Sequence, residues 1–176
     1  MSENIKSDIT TKKPISSLEM TIFTATLMSM VAISIDALLP ALGFISSDLN
    51  VSDINSTQLV ISALFLGMAL GQLICGPFSD ALGRKPVLYA GLVIYLIGTV
   101  VCYFAADLNT LLAGRFVQGL GVAGPYISAV SLVRDQYKGR DMAKIMSLVM
   151  MIFMLVPALA PSLGQALLYI SDWRGA

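Results

Sequence analysis

Five predominantly apolar segments follow one another along this chain of 176 residues. Each is too long for a core helix of a globular domain, whereas a helix rising 1.5 Å per residue needs about 20 apolar residues to cross a hydrocarbon core of about 30 Å. The sequence therefore predicts an all-α integral membrane protein. Its transmembrane bundle occupies residues 20–176, with five transmembrane helices at about 20–43, 58–78, 87–106, 110–130 and 145–170.

The composition excludes several classes of function. Charged residues make up 12% of the chain, about half the share found in an average soluble domain. Lys plus Arg and Asp plus Glu number 11 each, so no basic excess favours nucleic acid as a partner. The chain has no His, which removes imidazole chemistry and most zinc sites. We expect no enzyme, no metal and no cofactor, since the segments offer no nucleophile–base pair or metal cluster.

The basic residues indicate how the segments are oriented. Residues 1–19 are polar and predict a cytoplasmic tail. Basic side chains precede the first segment and fill the loops after the second and fourth: Lys6, Lys12, Lys13, Arg84, Lys85, Arg134, Lys138, Arg140 and Lys144. The opposite loops carry Asp48, Asp53 and Asp107, and Arg174 is the one basic residue on that side. Because short cytoplasmic loops collect Lys and Arg, the N-terminus is predicted to be cytoplasmic.

Two ionisable residues lie at depth in the apolar segments, Asp36 in the first and Arg115 in the fourth. Inserting either charged side chain near the centre of a span costs about 2.5–3.5 kcal/mol. We therefore do not expect either side chain to face lipid without a partner. Asp36 lies about 10 Å and Arg115 about 9 Å from the outer end of its helix, so the two can meet at one level. We expect them to share a polar cavity, with Arg115 permanently charged and Asp36 exchanging a proton. The alternative is that Arg115 reaches outward to the interface and Asp36 packs against backbone.

Prolines predict bends in the first, fourth and fifth segments. Pro40 has no N–H for the carbonyl of Asp36, so the first helix can bend there. Pro125 has the same effect in the fourth segment, and Pro157 and Pro161 predict a tilted or kinked fifth segment.

Polar groups at several depths share one face of the fourth segment, where Gln118 and Tyr126 follow Arg115 at helical spacing. This stripe predicts a cavity wall, although Gln118 suits an interhelical hydrogen bond equally well. Small residues in the second and fourth segments predict close helix packing: Gly67, Gly71, Gly114, Gly119, Gly121 and Gly124.

Three short patterns carry a resemblance to a known family. Residues 76–86 read Gly-Pro-Phe-Ser-Asp-Ala-Leu-Gly-Arg-Lys-Pro, which resembles the cytoplasmic signature G-x-L-x-D-x-x-G-R-K of the major facilitator superfamily, in the correct loop. Residues 115–121, Arg-Phe-Val-Gln-Gly-Leu-Gly, are similar to the R-x-x-Q-G-x-G signature of its proton-driven members. Residues 157–165 resemble the antiporter signature G-P-x-x-G-G, with Ala160 and Gln165 as departures.

The third pattern has Ala-Pro at residues 160–161, where the antiporter signature has Gly-Pro. This form narrows the resemblance to one type of antiporter. Together with residues 36–40 and with residues 172–174, Asp-Trp-Arg, it is similar to multidrug antiporters of the Bcr/CflA type. The resemblance covers nearly the whole chain beyond the tail.

The resemblance implies roles for individual residues. It makes Arg115 and Asp36 the proton-coupling pair, and it gives a cytoplasmic conformational latch to the loop residues Gly76, Asp80, Gly83, Arg84 and Lys85. It also assigns the bend of the fifth span to Pro157, Pro161 and Gly164.

As a whole, the resemblance implies a proton-coupled multidrug efflux antiporter of the bacterial inner membrane that works by alternating access. Its partners are then the lipid bilayer, protons and small lipophilic, drug-like substrates. The alternatives are a metabolite exporter or uniporter on the same fold and, from another class, a membrane assembly subunit with no transport cycle.

The number of segments differs from that of the family. Members have twelve spans built as two similar halves with the substrate site between them, whereas five are predicted here. We therefore expect an incomplete N-terminal half whose partner is the missing C-terminal half, with a truncated gene product as the alternative.

Overall fold

The computed structural model describes residues 16–36, 38–48 and 54–170, and this part of the chain contains no strand. Its elements in order are α1 Ser17–Asp36, a 3₁₀ turn Leu39–Ala41, α2 Leu42–Asp48, α3 Ile54–Leu82, α4 Arg84–Tyr103, α5 Leu108–Gln136 and α6 Gly139–Ile170. Five stretches are long and apolar enough to cross a membrane: Ser17–Ser46, Gln58–Leu82, Arg84–Tyr103, Leu108–Gln136 and Gly139–Ser162. The predicted all-α architecture with five spans is confirmed. Most of the predicted tail, residues 172–174 and the loop at 49–53 lie outside the described residues.

The first helix begins earlier than the sequence analysis placed it. A Ser-x-x-Glu pair starts α1, in which the carboxylate of Glu19 accepts the N–H of Ser16 at 2.9 Å. This capping box satisfies an N–H that has no partner within the helix. The last three residues assigned to the tail, 17–19, are therefore helical.

The first span is interrupted beside Pro40, as its sequence predicted. Helix α1 ends at Asp36, four residues before the proline, and the chain continues through the 3₁₀ turn into α2. Within the turn, the N–H of Ala41 donates to the carbonyl oxygen of Leu38 at 2.9 Å. Proline cannot supply the N–H that would continue the α-helix across this point.

Residues 76–86 do not form the loop that the sequence analysis expected. Helix α3 continues to Leu82, α4 starts at Arg84, and Gly83 alone separates them. Gly83 has a φ of 92° and a ψ of 167°, a conformation that is essentially confined to glycine. Since one such residue redirects the chain, the polar residues on either side remain helical.

Helix α5 is the centre of the bundle, and glycines allow α3 and α4 to approach it closely. A Cβ on Gly119 of α5 would collide with the carbonyl oxygen of Leu64 on α3. On another face, a Cβ on Gly98 of α4 would lie 2.5 Å from the backbone nitrogen of Gln118. The close packing predicted from the small residues is confirmed. Such close approach is typical of helix pairs in membranes, where lipid tails are as apolar as the side chains.

Two apolar clusters flank the middle of the bundle. One joins α1, α5 and α6 through Met20, Ala25, Leu27, Met28, Ala129, Val133, Ile145 and Val149. The other, near the opposite end, contains Leu38, Ala41, Ile45, Val60, Cys102, Ala105 and Leu111. Large apolar side chains cover the outer faces of the helices, including Leu73 on α3, Leu96 on α4 and Met154 on α6. Exposed apolar surface of this extent suits contact with lipid or with another membrane segment.

Helix α5 starts at a capped end. The carboxylate of Asp107 accepts two hydrogen bonds from Thr110, one from the side-chain hydroxyl at 2.6 Å and one from the backbone N–H at 3.0 Å. These hydrogen bonds hold the pKa of Asp107 below its usual value. The cap fixes the start of the helix that carries Arg115.

Candidate functional site

The guanidinium of Arg115 is buried where α1, α4 and α5 meet, and its side chain is only 7% exposed. Its Nη1 donates to the backbone carbonyl of Ser34 on α1 at 3.2 Å and to Oε1 of Gln118 at 3.0 Å. Arg115 therefore links α5 to the last turn of α1 and does not reach outward alone.

A chain of hydrogen bonds continues from Gln118 to α4 and back to α1. Nε2 of Gln118 donates to the hydroxyl of Thr99 at 2.9 Å, and Thr99 donates to the carbonyl of Tyr95 at 2.9 Å. The Tyr95 and Ser34 hydroxyls lie 2.7 Å apart, and Ser34 also donates to the carbonyl of Met30. We call Ser34, Tyr95, Thr99, Arg115 and Gln118 the polar ring. The interhelical hydrogen bond that was one of the two interpretations of Gln118 is thus observed.

Three members of the polar ring, Ser34, Tyr95 and Thr99, are absent from the sequence-based site. Tyr95 and Thr99 are four residues apart on α4, a spacing that places both on one helix face. This spacing is a signal for a shared polar face. Hydroxyl side chains are common in apolar helices, however, and only their tertiary contacts distinguish Tyr95 and Thr99 from the others.

Asp36 and Arg115 are not ion-paired. Among the described residues both ion pairs belong to Arg84, and the contact of Arg115 with α1 is to a backbone oxygen two residues before Asp36. The expectation that the two share a polar cavity compared only their heights, and Asp36 does not line the cavity at Arg115. Two residues along an α-helix correspond to a rotation of about 200°, so Ser34 and Asp36 lie on nearly opposite sides of α1. Asp36 is partly buried at the end of this helix, next to the break.

A cavity of about 120 Å³ lies against the polar ring. Its walls include all five ring residues, and apolar side chains complete it, among them Ile33, Leu38 and Leu111. Tyr126, the other predicted cavity residue, instead packs against the apolar cluster of α1, α5 and α6.

The predicted helix-bend residues lie within or beside helices. Pro125 is fully buried within α5, and α6 contains both Pro157 and Pro161 without interruption. Gly164 also lies on α6, but its packing falls outside the described residues.

A second polar cluster occupies the junction of α3 and α4. Nη1 of Arg84 donates to Oδ1 of Asp80 at 2.7 Å and to the hydroxyl of Ser79 at 2.8 Å. Its Nε donates to Oδ2 of Asp135, at the end of α5, at 3.0 Å. The Ser128 hydroxyl of α5 donates to the carbonyl of Arg84 at 3.2 Å. Arg84 therefore holds the ends of three helices together.

Other residues of the predicted latch are less engaged. Lys85 is exposed, and a Cβ on Gly76 would meet no neighbour within 4 Å. Asp135 was missed because its sequence neighbourhood, a charged helix end beside Arg134, is typical of a solvated terminus.

The sequence profile of the Major Facilitator Superfamily matches residues 22–176. Multidrug resistance protein MdtL of Citrobacter koseri is 37% identical over 140 residues, which are 80% of this chain and 36% of that protein. The uncharacterized MFS-type transporter YdgK of Bacillus subtilis is 35% identical over 150 residues, 83% of this chain and 37% of that protein. MdtL of an Escherichia coli strain is 35% identical over 140 residues, again 80% and 36%. The chain thus spans little more than a third of the length of these relatives.

Proposed function

Because this chain belongs to the major facilitator superfamily of membrane transporters, we propose that it forms part of a proton-coupled antiporter that exports small lipophilic, drug-like compounds. The proposal places it in a bacterial inner membrane with its N-terminus in the cytoplasm. Two of the relatives carry the name multidrug resistance protein, which supports a drug-like substrate.

The buried guanidinium of Arg115 is the observation that carries the proposal. It is held against the last turn of α1, and no carboxylate among the described residues contacts it. Asp36 ends that same turn, beside the break of the first span. A proton that neutralises Asp36 removes a negative charge from the end of α1, two residues after the Ser34 carbonyl that accepts a hydrogen bond from Arg115. The break then allows α1 and α2 to shift relative to α5.

The surface of α6 supports a bulky, apolar substrate. Its exposed side chains include Met150, Met151 and Met154, together with Leu155 and Leu159. Methionine is unbranched and polarisable, so such a surface adapts to ligands of different shapes. A face of this kind can contribute to the wall of a multidrug cavity.

The test is Asp36→Asn in the gene product that carries this sequence. Everted membrane vesicles report export of a lipophilic cation and the accompanying proton movement by fluorescence. We expect Asp36→Asn to abolish both signals, because the side chain can no longer bind and release a proton, and Asp36→Glu to retain part of them.

The matched control is Asp141→Asn, which changes an exposed carboxylate at the start of α6 and is expected to export normally. Export and proton exchange that persist in Asp36→Asn would reject the proton-coupled mechanism. Export that is insensitive to the pH gradient in the unmodified protein would favour a uniporter, and no transport at all would favour an assembly subunit.

For the cluster of Asp80, Arg84 and Asp135 we propose the role of a conformational latch. Its ion pairs join the ends of α3, α4 and α5 around the single-residue junction at Gly83. An arginine shared by two carboxylates can exchange partners at small cost when helix ends move. This property supports a contact that forms in one state of the transport cycle and loosens in another.

A further inference from the structure

The cavity beside the polar ring has an excess of hydrogen-bond donors. A guanidinium carries five N–H donors, and Arg115 uses two of them, on Ser34 and Gln118. Its Nε is buried and has no acceptor among the described residues. The amide of Gln118 has two N–H donors and gives one to Thr99.

Among the described residues, no hydroxyl group of the ring accepts a hydrogen bond from Arg115. Ser34 donates to the Met30 carbonyl, so its oxygen is the acceptor for the hydroxyl of Tyr95. Thr99 donates to the Tyr95 carbonyl and accepts from Gln118. Each ring hydroxyl is thus already bonded within the ring.

The charge of the cavity wall is also unbalanced. Among the described residues, the side chains that line it include one full positive charge, on Arg115, and no carboxylate. A buried charge is expensive unless it is paired, and a side chain so held in a membrane bundle marks a pathway or a ligand site. A water molecule could accept hydrogen bonds here but would leave the charge uncompensated.

From these observations we propose that the cavity formed by Ser34, Tyr95, Thr99, Arg115 and Gln118 binds a monovalent inorganic anion, chloride. Its volume of about 120 Å³ exceeds the about 10–15 Å³ that a cavity needs to hold one water molecule, and a chloride ion is only slightly larger than water. The apolar walls at Ile33, Leu38 and Leu111 suit a spherical ion, which accepts N–H donors from any direction. This inference does not depend on the proposed transport function.

The test is a chloride titration of the purified protein in detergent micelles, with gluconate replacing chloride at constant ionic strength. We expect the melting midpoint to rise with chloride and to saturate, because a ligand that binds the folded state stabilises it. Bromide should reproduce the shift. Arg115→Gln should abolish it, whereas Arg134→Gln, which removes an exposed arginine from the same helix, should not.

A second measurement covers the case in which Arg115→Gln fails to fold. The unmodified protein should broaden the ³⁵Cl NMR line, and bromide should reverse the broadening by competition. Equal melting midpoints in chloride and gluconate, with no broadening, would overturn the proposal. A response to acetate alone would also overturn it, since the site would then bind a carboxylate.

Asp36→Asn separates this proposal from the transport mechanism. Asp36 does not line the cavity, so the variant should keep its chloride response even where proton-coupled export is lost. If the chloride response disappeared with the carboxylate, the assignment of the site to Arg115 and the polar ring would be wrong.

Discussion

Arg115 illustrates how the surroundings of a residue decide its chemistry. The sequence gives its depth and its permanent charge, and both suffice to predict burial within the bundle. It does not give the direction of the side chain around the helix axis. Arg115 donates hydrogen bonds to the backbone carbonyl of Ser34 and to the side-chain amide of Gln118. The carboxylate of Asp36 takes no part in this contact. The depth of a side chain in the membrane follows from counting residues along its helix. Its hydrogen-bond partner depends on how the two helices are rotated about their axes.

Gly119 is the residue at which we expect packing to be least tolerant. A Cβ there would collide with the Leu64 carbonyl oxygen and lie 2.9 Å from the backbone nitrogen of Met68. Because backbone atoms of α3 cannot move aside as a side chain can, Gly119→Ala should destabilise the bundle by about 1–3 kcal/mol, the usual range for overpacking. Unfolding of the purified protein in mixed micelles measures the loss.

The control for this experiment is Gly43→Ala. Gly43 lies on α2 and a Cβ there would have no neighbour within 4 Å, so its substitution should leave stability unchanged or slightly increased. Equal effects at the two positions would contradict the close contact of α3 and α5.

At the scale of elements, the junction of α3 and α4 shows the limit of a motif as a structural guide. The signature at residues 76–86 correctly locates a turn, because Gly83 supplies a conformation that other residues avoid. The signature predicts too long a turn, because its charged residues are typical of a loop. Asp80 and Arg84 are instead helical and paired across the glycine. The third member, Asp135, comes from a helix about fifty residues later, a distance that no local pattern reports.

The latch can be tested with Asp135→Asn. Asp80, Arg84 and Asp135 are all at least partly exposed, so the change should cost less than about 1 kcal/mol of stability. It should nevertheless release the end of α5 from the junction. Spin labels at Leu82 and Gln136 should then report a broader distance distribution in Asp135→Asn than in the unmodified protein.

Asp141→Asn again serves as the control, since this exposed carboxylate forms neither of the ion pairs of the described residues. An unchanged distance distribution in Asp135→Asn would exclude the contact of Arg84 and Asp135 as a latch. A large loss of stability would assign the same contact a structural role.

At the scale of the whole molecule, the all-α fold and its spans could be predicted because length and apolarity alone decide whether a helix can cross a bilayer. Helix packing could be predicted only in part. Glycines in the second and fourth segments indicated close contacts, but α4, whose glycines were not singled out, packs equally closely on α5. The polar ring depends on all three of α1, α4 and α5, so it becomes visible only when the bundle is assembled.

The orientation in the membrane is the prediction that belongs to this scale. Lys85 and Asn109 are both exposed, at opposite ends of the bundle. With a membrane-impermeant maleimide on intact cells, Asn109→Cys should be labelled and Lys85→Cys should be labelled only after the membrane is opened. The native Cys75 and Cys102 lie within helices and are partly or fully buried, so the unmodified protein provides the background. The reverse pattern would place the N-terminus outside.

The hydrogen bond between Arg115 and Ser34 joins residues that are 81 positions apart. During synthesis at 5–20 residues per second, α1 leaves the ribosome roughly 4–16 s before its arginine partner exists. Over that time the first helix must wait in the lipid or at the insertion machinery without Tyr95 and Arg115, the partners that Ser34 has in the finished bundle. The contact between the first and the fourth span can therefore form only after α5 has been synthesised.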